Sequence, residues 1–234
     1  MTFRPSSLAL AVWLAAAGLA LAQGSGHDHG DRDHDSHGDR DHDATMRHRF
    51  EDAEQWALRF EDEARDAWQL PDSVVAVLVD REDLVVADIG SATGYFPVRF
   101  ARAVPRGAVI GSDVEPGMVM YLNDRARSER IENLTSVLAA PDDPHLPRVC
   151  DLVFFCNTIH HIDDRIEYLR RLREQLVPGG RIAVVDFRLE STKGPPHKLA
   201  PGIVEEELAA AGYEPVARHE FLPEQYFLVY RALP

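Results

Sequence analysis

The chain has 234 residues, 45% of them hydrophobic and 27% charged, so it contains enough apolar side chains for a buried core. Its formal net charge of −14 argues against nucleic-acid binding, because such proteins need positive charge to displace the counterions of phosphate groups. The two cysteines exclude a dense disulfide framework and a four-cysteine zinc site. The composition therefore predicts one globular domain, with or without a tail, and no nucleic-acid partner.

The first residues resemble a targeting segment. An uncharged apolar run from Leu8 to Leu21 follows Arg4, and Ala20-Leu21-Ala22 supplies the small residues that signal peptidase requires. This pattern predicts a signal peptide over residues 1–22 and a periplasmic or secreted protein. The run is shorter than the roughly 20 residues that span a bilayer, so an uncleaved membrane anchor is the weaker alternative.

Residues 23–45 form a low-complexity segment rich in histidine and aspartate. The sequence Gly-Asp-Arg-Asp-His-Asp occurs twice, at residues 30–35 and 38–43. A segment with so few apolar side chains cannot offset the entropy of ordering, so it is predicted to be disordered. Imidazoles and carboxylates together can chelate a divalent metal, although a solvated acidic spacer is the other interpretation. The candidate metal ligands are His27, His29, His34, His37 and His42.

An apolar stripe with helical spacing opens the predicted folded domain, residues 46–234. Pro71 ends this first helix, and Asp72 is a candidate cap for a second helix that runs to Val79. The helical segment over residues 46–80 is predicted to form a lid on the core that follows. The stripe consists of Trp56, Phe60, Ala64 and Trp68.

The rest of the chain alternates between strand and helix patterns. A nearly continuous apolar run at residues 151–156 is typical of a central parallel strand that is covered on both faces. Two closing strands, joined by a short link, are predicted to pair as an antiparallel hairpin. The pattern predicts an α/β fold with a doubly wound, Rossmann-like sheet of seven strands, mostly parallel, with helices on both faces. The predicted strands lie at residues 84–87, 108–111, 134–138, 151–156, 182–185, 216–222 and 226–230, and the main intervening helices at 95–104, from 116, from 163 and at 204–211.

The loop after the first strand carries the strongest chemical signal. Gly90 and Gly94 lie four residues apart, which allows a sharp backbone turn but does not match the Gly-x-Gly-x-x-Gly spacing of a dinucleotide site. The acid that ends the strand, Asp88, suits a cationic ligand better than a diphosphate. A nicotinamide-dependent dehydrogenase is therefore disfavoured.

The segment Asp-x-Gly-x-x-Thr-Gly at residues 88–94 resembles motif I of class I S-adenosylmethionine-dependent methyltransferases. Further features occur in the order of that family: Asp113 ends the second strand, residues 140–147 resemble the adenine loop, residues 151–162 resemble motif IV, and residues 176–180 resemble the turn before strand five. The resemblance extends from about Val74 to the end of the chain. It implies S-adenosylmethionine as cofactor and in-line methyl transfer to a small-molecule acceptor.

The resemblance also implies roles for individual residues. Asp113 is expected to bind the ribose hydroxyls and Asp142 the adenine amino group, with Asp143 as a competitor for the latter role. The expected cofactor-binding residues are Asp88, Gly90, Ser91, Thr93, Gly94, Asp113, Val114, Asp142 and Asn157. The catalytic candidates are His160, His161 and Asn157, and the substrate candidates are Thr158, His161, Asp186 and His197.

Each assignment has a structural alternative. The glycines could form only a tight turn, and the histidines after a buried strand could be hydrogen-bonded structural residues. Cys156 is expected in the core, and no metal site is expected in the folded domain. For the whole protein the alternative is an exported metal-binding module with a vestigial cofactor site. We expect a monomer or weak dimer.

Overall fold

The computed structural model describes residues 53–234, and all structural statements below concern this range. The predicted signal peptide, the histidine- and aspartate-rich tail and the first residues of the predicted lid lie outside the described residues. Within 53–234, no helix is long and apolar enough to cross a membrane.

A single seven-stranded sheet organises the domain, with the strand order β3-β2-β1-β4-β5-β7-β6. The first five strands are parallel, and β7 pairs antiparallel with both β5 and β6. The predicted fold class, including the closing hairpin, is confirmed. The strands are β1 Val85–Ile89, β2 Ala108–Asp113, β3 Leu134–Leu138, β4 Cys150–Cys156, β5 Leu176–Phe187, β6 Tyr213–His219 and β7 Gln225–Ala232.

Helices cover both faces of the sheet and bury two separate apolar clusters. α3, α4 and α5 cover one face, where Leu78, Phe100 and Leu122 are fully buried against the sheet. α6 and α7 cover the other face through Leu172 and Leu208. The helices are α1 Ala53–Phe60, α2 Asp66–Gln69, α3 Pro71–Leu78, α4 Pro97–Ala103, α5 Pro116–Ser128, α6 Arg165–Glu174 and α7 Pro201–Ala210.

The N-terminal helix is not continuous, so that prediction is wrong. α1 ends at Phe60, and the Asp62 carboxylate accepts a 2.9 Å hydrogen bond from the backbone N–H of Ala64, which starts a short 3₁₀ turn at Glu63–Arg65. The local cap overrides the helical spacing of the apolar side chains. The prediction that Asp72 caps the next helix is also wrong, because α3 begins one residue earlier, at Pro71.

Two boundaries around β5 also differ from expectation. α6 begins at Arg165, after Asp164 in a left-handed conformation, two residues later than the predicted start at 163. β5 begins at Leu176 instead of 182 and contains Pro178 and both following glycines. The pairing of β4 with β5 shifts register across this stretch, so the chain remains extended although the proline and glycines suggest a break.

The sheet order places the candidate site. β1 and β4 are neighbours, although the chain runs from β1 outward to β2 and β3 before it returns to β4. Ligands of open α/β sheets bind beside such a reversal of strand order, at the carboxyl ends of the strands, which here are the ends of β1 and β4. The loops after β1, β2, β4 and β5 therefore border one site.

Candidate active site

The loop after β1 adopts a backbone conformation that requires glycine. Gly90 and Gly94 have φ angles of +72° and +99°, and Ala92 between them is also left-handed at +44°. A Cβ at Gly90 would collide with the side chain of Thr158, and one at Gly94 with Leu122. The glycines are thus required by the close approach of neighbouring side chains, a reason that the sequence did not show.

Two buried carboxylates flank this loop. Asp113, at the end of β2, accepts hydrogen bonds from the backbone N–H of Ala92 at 2.8 Å and of Glu115 at 3.0 Å. Burial raises the pKa of Asp113, and these backbone hydrogen bonds oppose that rise. Asp113 therefore fixes the loop in place, as well as lying where the ribose is expected.

Asp88 is the more unusual carboxylate. It is 3% exposed and accepts no hydrogen bond from any residue in 53–234. Burial and the charge of Asp113 raise its pKa well above the usual range, and Arg65 partly opposes this effect. A buried carboxylate without a hydrogen-bond donor fits a ligand that brings a positive charge and N–H groups. The ammonium group of a bound methionine moiety has both.

The far side of the candidate cofactor site is apolar. Val114 directly follows β2, and Leu138 is the last residue of β3, which pairs with β2. Each of the two side chains is about half exposed. Such adjacent apolar side chains can contact the faces of a flat ring. Asp142 is exposed and forms a 2.9 Å ion pair with Arg171 of α6, whereas Asp143 is half-buried. The adenine role assigned to Asp142 remains a prediction.

The end of β4 brings together most of the remaining candidates. Asn157 is left-handed, with φ +57°, and its N–H donates to Val185 of β5 at 2.9 Å. Thr158 lies over Gly90, and its hydroxyl donates to the Cys156 carbonyl at 3.1 Å. These contacts place β4's tip directly beside the glycine loop.

A histidine–aspartate pair lies next to this tip. His160 Nδ1 is 2.7 Å from Asp186 Oδ2, and Asp186, at 2% exposed, also accepts from the N–H of Phe187 at 2.8 Å. The ring of His161 packs against that of His160, with centroids 4.2 Å apart. His197 is exposed on the loop after β5 and is not brought to this pair by any contact within 53–234. The geometry thus favours His160, held by Asp186, over His161 and His197.

The segment before β1 contributes residues that sequence reasoning missed. Glu61 accepts from the buried hydroxyl of Thr93 at 2.7 Å and pairs with Arg125 at 2.8 Å, so it connects the start of the domain to the glycine loop and to α5. The guanidinium of Arg65 lies 3.8 Å from the ring centre of Tyr95, just after that loop. No local pattern identifies these residues, because their partners lie about 30 or more positions away.

The cysteines do not contribute a nucleophile. Burial raises the pKa of both Cys150 and Cys156 to about 12, so both thiols are protonated near neutral pH. Within the described range, no group of three or more histidine, cysteine, aspartate or glutamate side chains is arranged to hold a metal ion. The candidate chemistry therefore depends on the carboxylates, Asn157 and the His160–Asp186 pair.

Comparison with known proteins agrees with this geometry. Residues 87–182, from β1 into β5, match a sequence model described as a methyltransferase domain. This central part of the chain is therefore similar to a methyltransferase domain. Methyltransferase GfsG of Streptomyces halstedii is 32% identical to the chain over 111 residues, 46% of this chain and 39% of the relative. Trans-aconitate 2-methyltransferase of Rhodopseudomonas palustris is 34% identical over 134 residues, 56% of this chain and 48% of the relative.

The solved structures give the same fold. An S-adenosylmethionine-dependent methyltransferase from Aquifex aeolicus superposes with a TM-score of 0.71 at 20% identity, over 76% of this chain and 98% of that one. At this identity the likeness shows the fold alone. The chain spans less than half the length of the curated relatives described above.

Proposed function

We propose that the protein transfers the methyl group of S-adenosylmethionine to a small-molecule acceptor. The observation that carries the proposal is the pair of buried carboxylates around the glycine loop, with Asp88 lacking any donor within 53–234 and Asp113 holding the loop's backbone. Two buried carboxylates at the carboxyl ends of neighbouring strands suit a cationic nucleoside. The relative named 27-O-demethylrifamycin SV methyltransferase, 29% identical over 123 residues, supports a small-molecule acceptor.

The cofactor, when bound, supplies a methyl group activated by a positively charged sulfur. The chain's own residues then have to bind, orient and deprotonate the acceptor, and alignment alone can contribute several kcal/mol. Asp88 offers its carboxylate to the cofactor's ammonium group, and Asp113 offers the lone pairs not used by backbone N–H groups to the ribose hydroxyls. Val114 and Leu138 provide the apolar surfaces for the adenine.

His160 is the residue best arranged to take a proton from the acceptor. Its Nδ1 lies 2.7 Å from the Asp186 carboxylate, which can only accept when ionised, so the Nδ1 of the neutral ring carries the hydrogen. The lone pair is then on Nε2, which can receive a proton from an acceptor hydroxyl. The carboxylate also stabilises the imidazolium that forms.

The metal-binding alternative has no support within 53–234, where no candidate metal cluster occurs. The proposals of export and of metal capture by the tail rest on the sequence of residues 1–45, and a monomer or weak dimer remains a proposal. Deletion of residues 24–43 with measurement of bound nickel or zinc tests the tail: unchanged metal retention would contradict a role for it.

The experiment for the main proposal is transfer of label from methyl-tritiated S-adenosylmethionine to a panel of small hydroxylated compounds. The full chain should label at least one compound, and the Asp113→Ala variant should label it much less. Equal labelling by both proteins would contradict the proposal, because the transfer would then not use this site.

A further inference from the structure

A chain of four side chains crosses the domain below the candidate site. Arg65 Nε donates to Gln69 Oε1, Gln69 Nε2 donates to Gln225 Oε1 at 2.9 Å, and Gln225 Nε2 donates to Asn157 Oδ1 at 2.6 Å. Gln69 and Gln225 are both fully buried, although they are 156 positions apart in sequence. Two completely buried glutamines are unusual, because removing an amide group from water costs free energy unless it forms hydrogen bonds inside the protein.

The direction of this chain is fixed by chemistry. An arginine side chain can only donate hydrogen bonds, so Gln69 must turn its oxygen toward Arg65. Its nitrogen therefore faces Gln225, whose oxygen accepts, and the nitrogen of Gln225 in turn faces Asn157. The second hydrogen of Gln69 Nε2 goes to Cys156 Sγ at 2.9 Å. Reversing any one amide would place two acceptors or two donors against each other.

The last member of the chain is the one at the site. The Oδ1 of Asn157 is occupied by Gln225, and its Nδ2 has no partner among residues 53–234. Asn157 lies at the tip of β4, half-buried, beside Thr158 and the glycine loop. Its amide is therefore presented as a hydrogen-bond donor at the place where the acceptor is expected.

We infer that Gln69 and Gln225 are positioning residues that turn the Asn157 amide so that its N–H groups meet an oxygen lone pair of the methyl acceptor. This inference rests on the proposed function. Together with His160 as proton acceptor, the site then matches a hydroxyl group, which accepts a hydrogen bond from Asn157 and gives its proton to the histidine. The substrate class is an alcohol or phenol rather than a ring carbon.

Gln225→Glu is the variant that isolates the effect. The glutamate still accepts from Gln69, but when ionised it cannot donate to Asn157, so the Asn157 amide must turn its nitrogen away from the site. Gln225→Met, which is similar in length and has no donor, removes the bond without reversing it. Asn157→Asp removes the donor at the site itself and should reproduce the effect of Gln225→Glu.

The orientation is measured without any acceptor, by hydrogen exchange of the side-chain amides in NMR spectra at pH 8. In the native protein the Asn157 amide should exchange at least tenfold faster than those of Gln69 and Gln225, which are buried and bonded. In Gln225→Glu the Asn157 amide should become protected. A protected Asn157 amide in the native protein that is insensitive to both Gln225 variants overturns the inference.

The role in the reaction is measured with methyl-tritiated S-adenosylmethionine and the panel of alcohols and phenols. Gln225→Glu and Asn157→Asp should lower kcat/KM about 10–100-fold, with Gln225→Met retaining more activity, while the affinity of the two Gln225 variants for S-adenosylhomocysteine stays within about twofold of the native value. Weakened S-adenosylhomocysteine binding by the Gln225 variants, or full activity of Asn157→Asp, overturns the assignment. If the native protein methylates nothing and binds no S-adenosylhomocysteine, the proposed function fails, whereas amide exchange still decides the orientation of Asn157.

Discussion

The unpartnered Asp88 carboxylate creates a conflict between the stability of the ligand-free protein and the binding of a cation. Replacement of Asp88 by asparagine keeps the shape of the side chain and removes its charge. Because burial and the charge of Asp113 raise the pKa of Asp88, ionisation of this group costs folding free energy in the absence of ligand. We expect Asp88→Asn to be more stable than the native protein and a weaker binder of the cofactor.

The structure sets the size of both effects. Asp88 is 3% exposed and has no hydrogen-bond donor within 53–234, so the negative charge that asparagine removes adds about 1–3 kcal/mol to the cost of burying this side chain. Relief of that cost should raise Tm by about 2–12 °C for a domain of this size. Loss of a charge-assisted hydrogen bond of about 1.5–3 kcal/mol should weaken S-adenosylhomocysteine binding roughly 10–150-fold.

The raised pKa of Asp88 determines how the stability gain of Asp88→Asn depends on pH. A carboxyl whose pKa is raised on folding binds more protons in the folded than in the unfolded state, so the native protein loses stability as pH rises from the unfolded value near 3.9 through the folded pKa. The stability gain of Asp88→Asn should therefore be absent near pH 4 and fully present above the folded pKa of Asp88.

Differential scanning calorimetry of the full chain at pH 4 to 8, with and without S-adenosylhomocysteine, measures both effects. The control is Asp163→Asn, which removes an exposed carboxylate before α6 and should change neither Tm nor affinity appreciably. If Asp88→Asn is no more stable than the native protein at pH 8 and binds S-adenosylhomocysteine equally well, the electrostatic reasoning about this site is refuted.

Three further predictions concern other parts of the site. His160→Ala should lower kcat about 10²–10⁴-fold with S-adenosylhomocysteine affinity unchanged; an unchanged kcat would remove its role as proton acceptor. Gly90→Ala should destabilise more than Gly179→Ala in thermal unfolding, because both have positive φ but only the first Cβ collides, with Thr158; equal losses would show that the collision is relieved at no cost. Glu61→Ala should cost about 1–3 kcal/mol and speed proteolysis before β1, since the buried Thr93 hydroxyl loses its acceptor and Arg125 keeps only Glu129 as an ion-pair partner; unchanged cleavage would mean that Glu61 does not hold this segment.

The sheet was predictable because its signals are local. Short apolar runs separated by amphipathic stretches place all five parallel strands, and the nearly continuous run at 151–156 corresponds to β4, which is paired on both sides. The first helix was not predictable from its stripe, because the capping hydrogen bond of Asp62 ends the helical pattern between Phe60 and Ala64. The spacing of hydrophobic residues contains no information about such a competing polar contact.

The candidate site was predictable where its residues belong to short motifs at the ends of strands. The glycine loop and Asp113 follow from short motifs, whereas the contacts of Glu61 and of the two buried glutamines join residues that are far apart in the chain. The sequence shows which residues can form such contacts, but it does not show which of them pair with each other. The reason for Gly90 was also hidden, since it depends on Thr158 from the loop after β4.

Calorimetric titration of the full chain with S-adenosylhomocysteine, beside the Asp113→Ala variant, tests the central claim most directly. We expect one site per chain with a Kd on the order of 1 μM, corresponding to about −8 kcal/mol, and binding at least tenfold weaker in the variant. Native binding no tighter than that of Asp113→Ala would contradict the claim that this crevice holds S-adenosylmethionine.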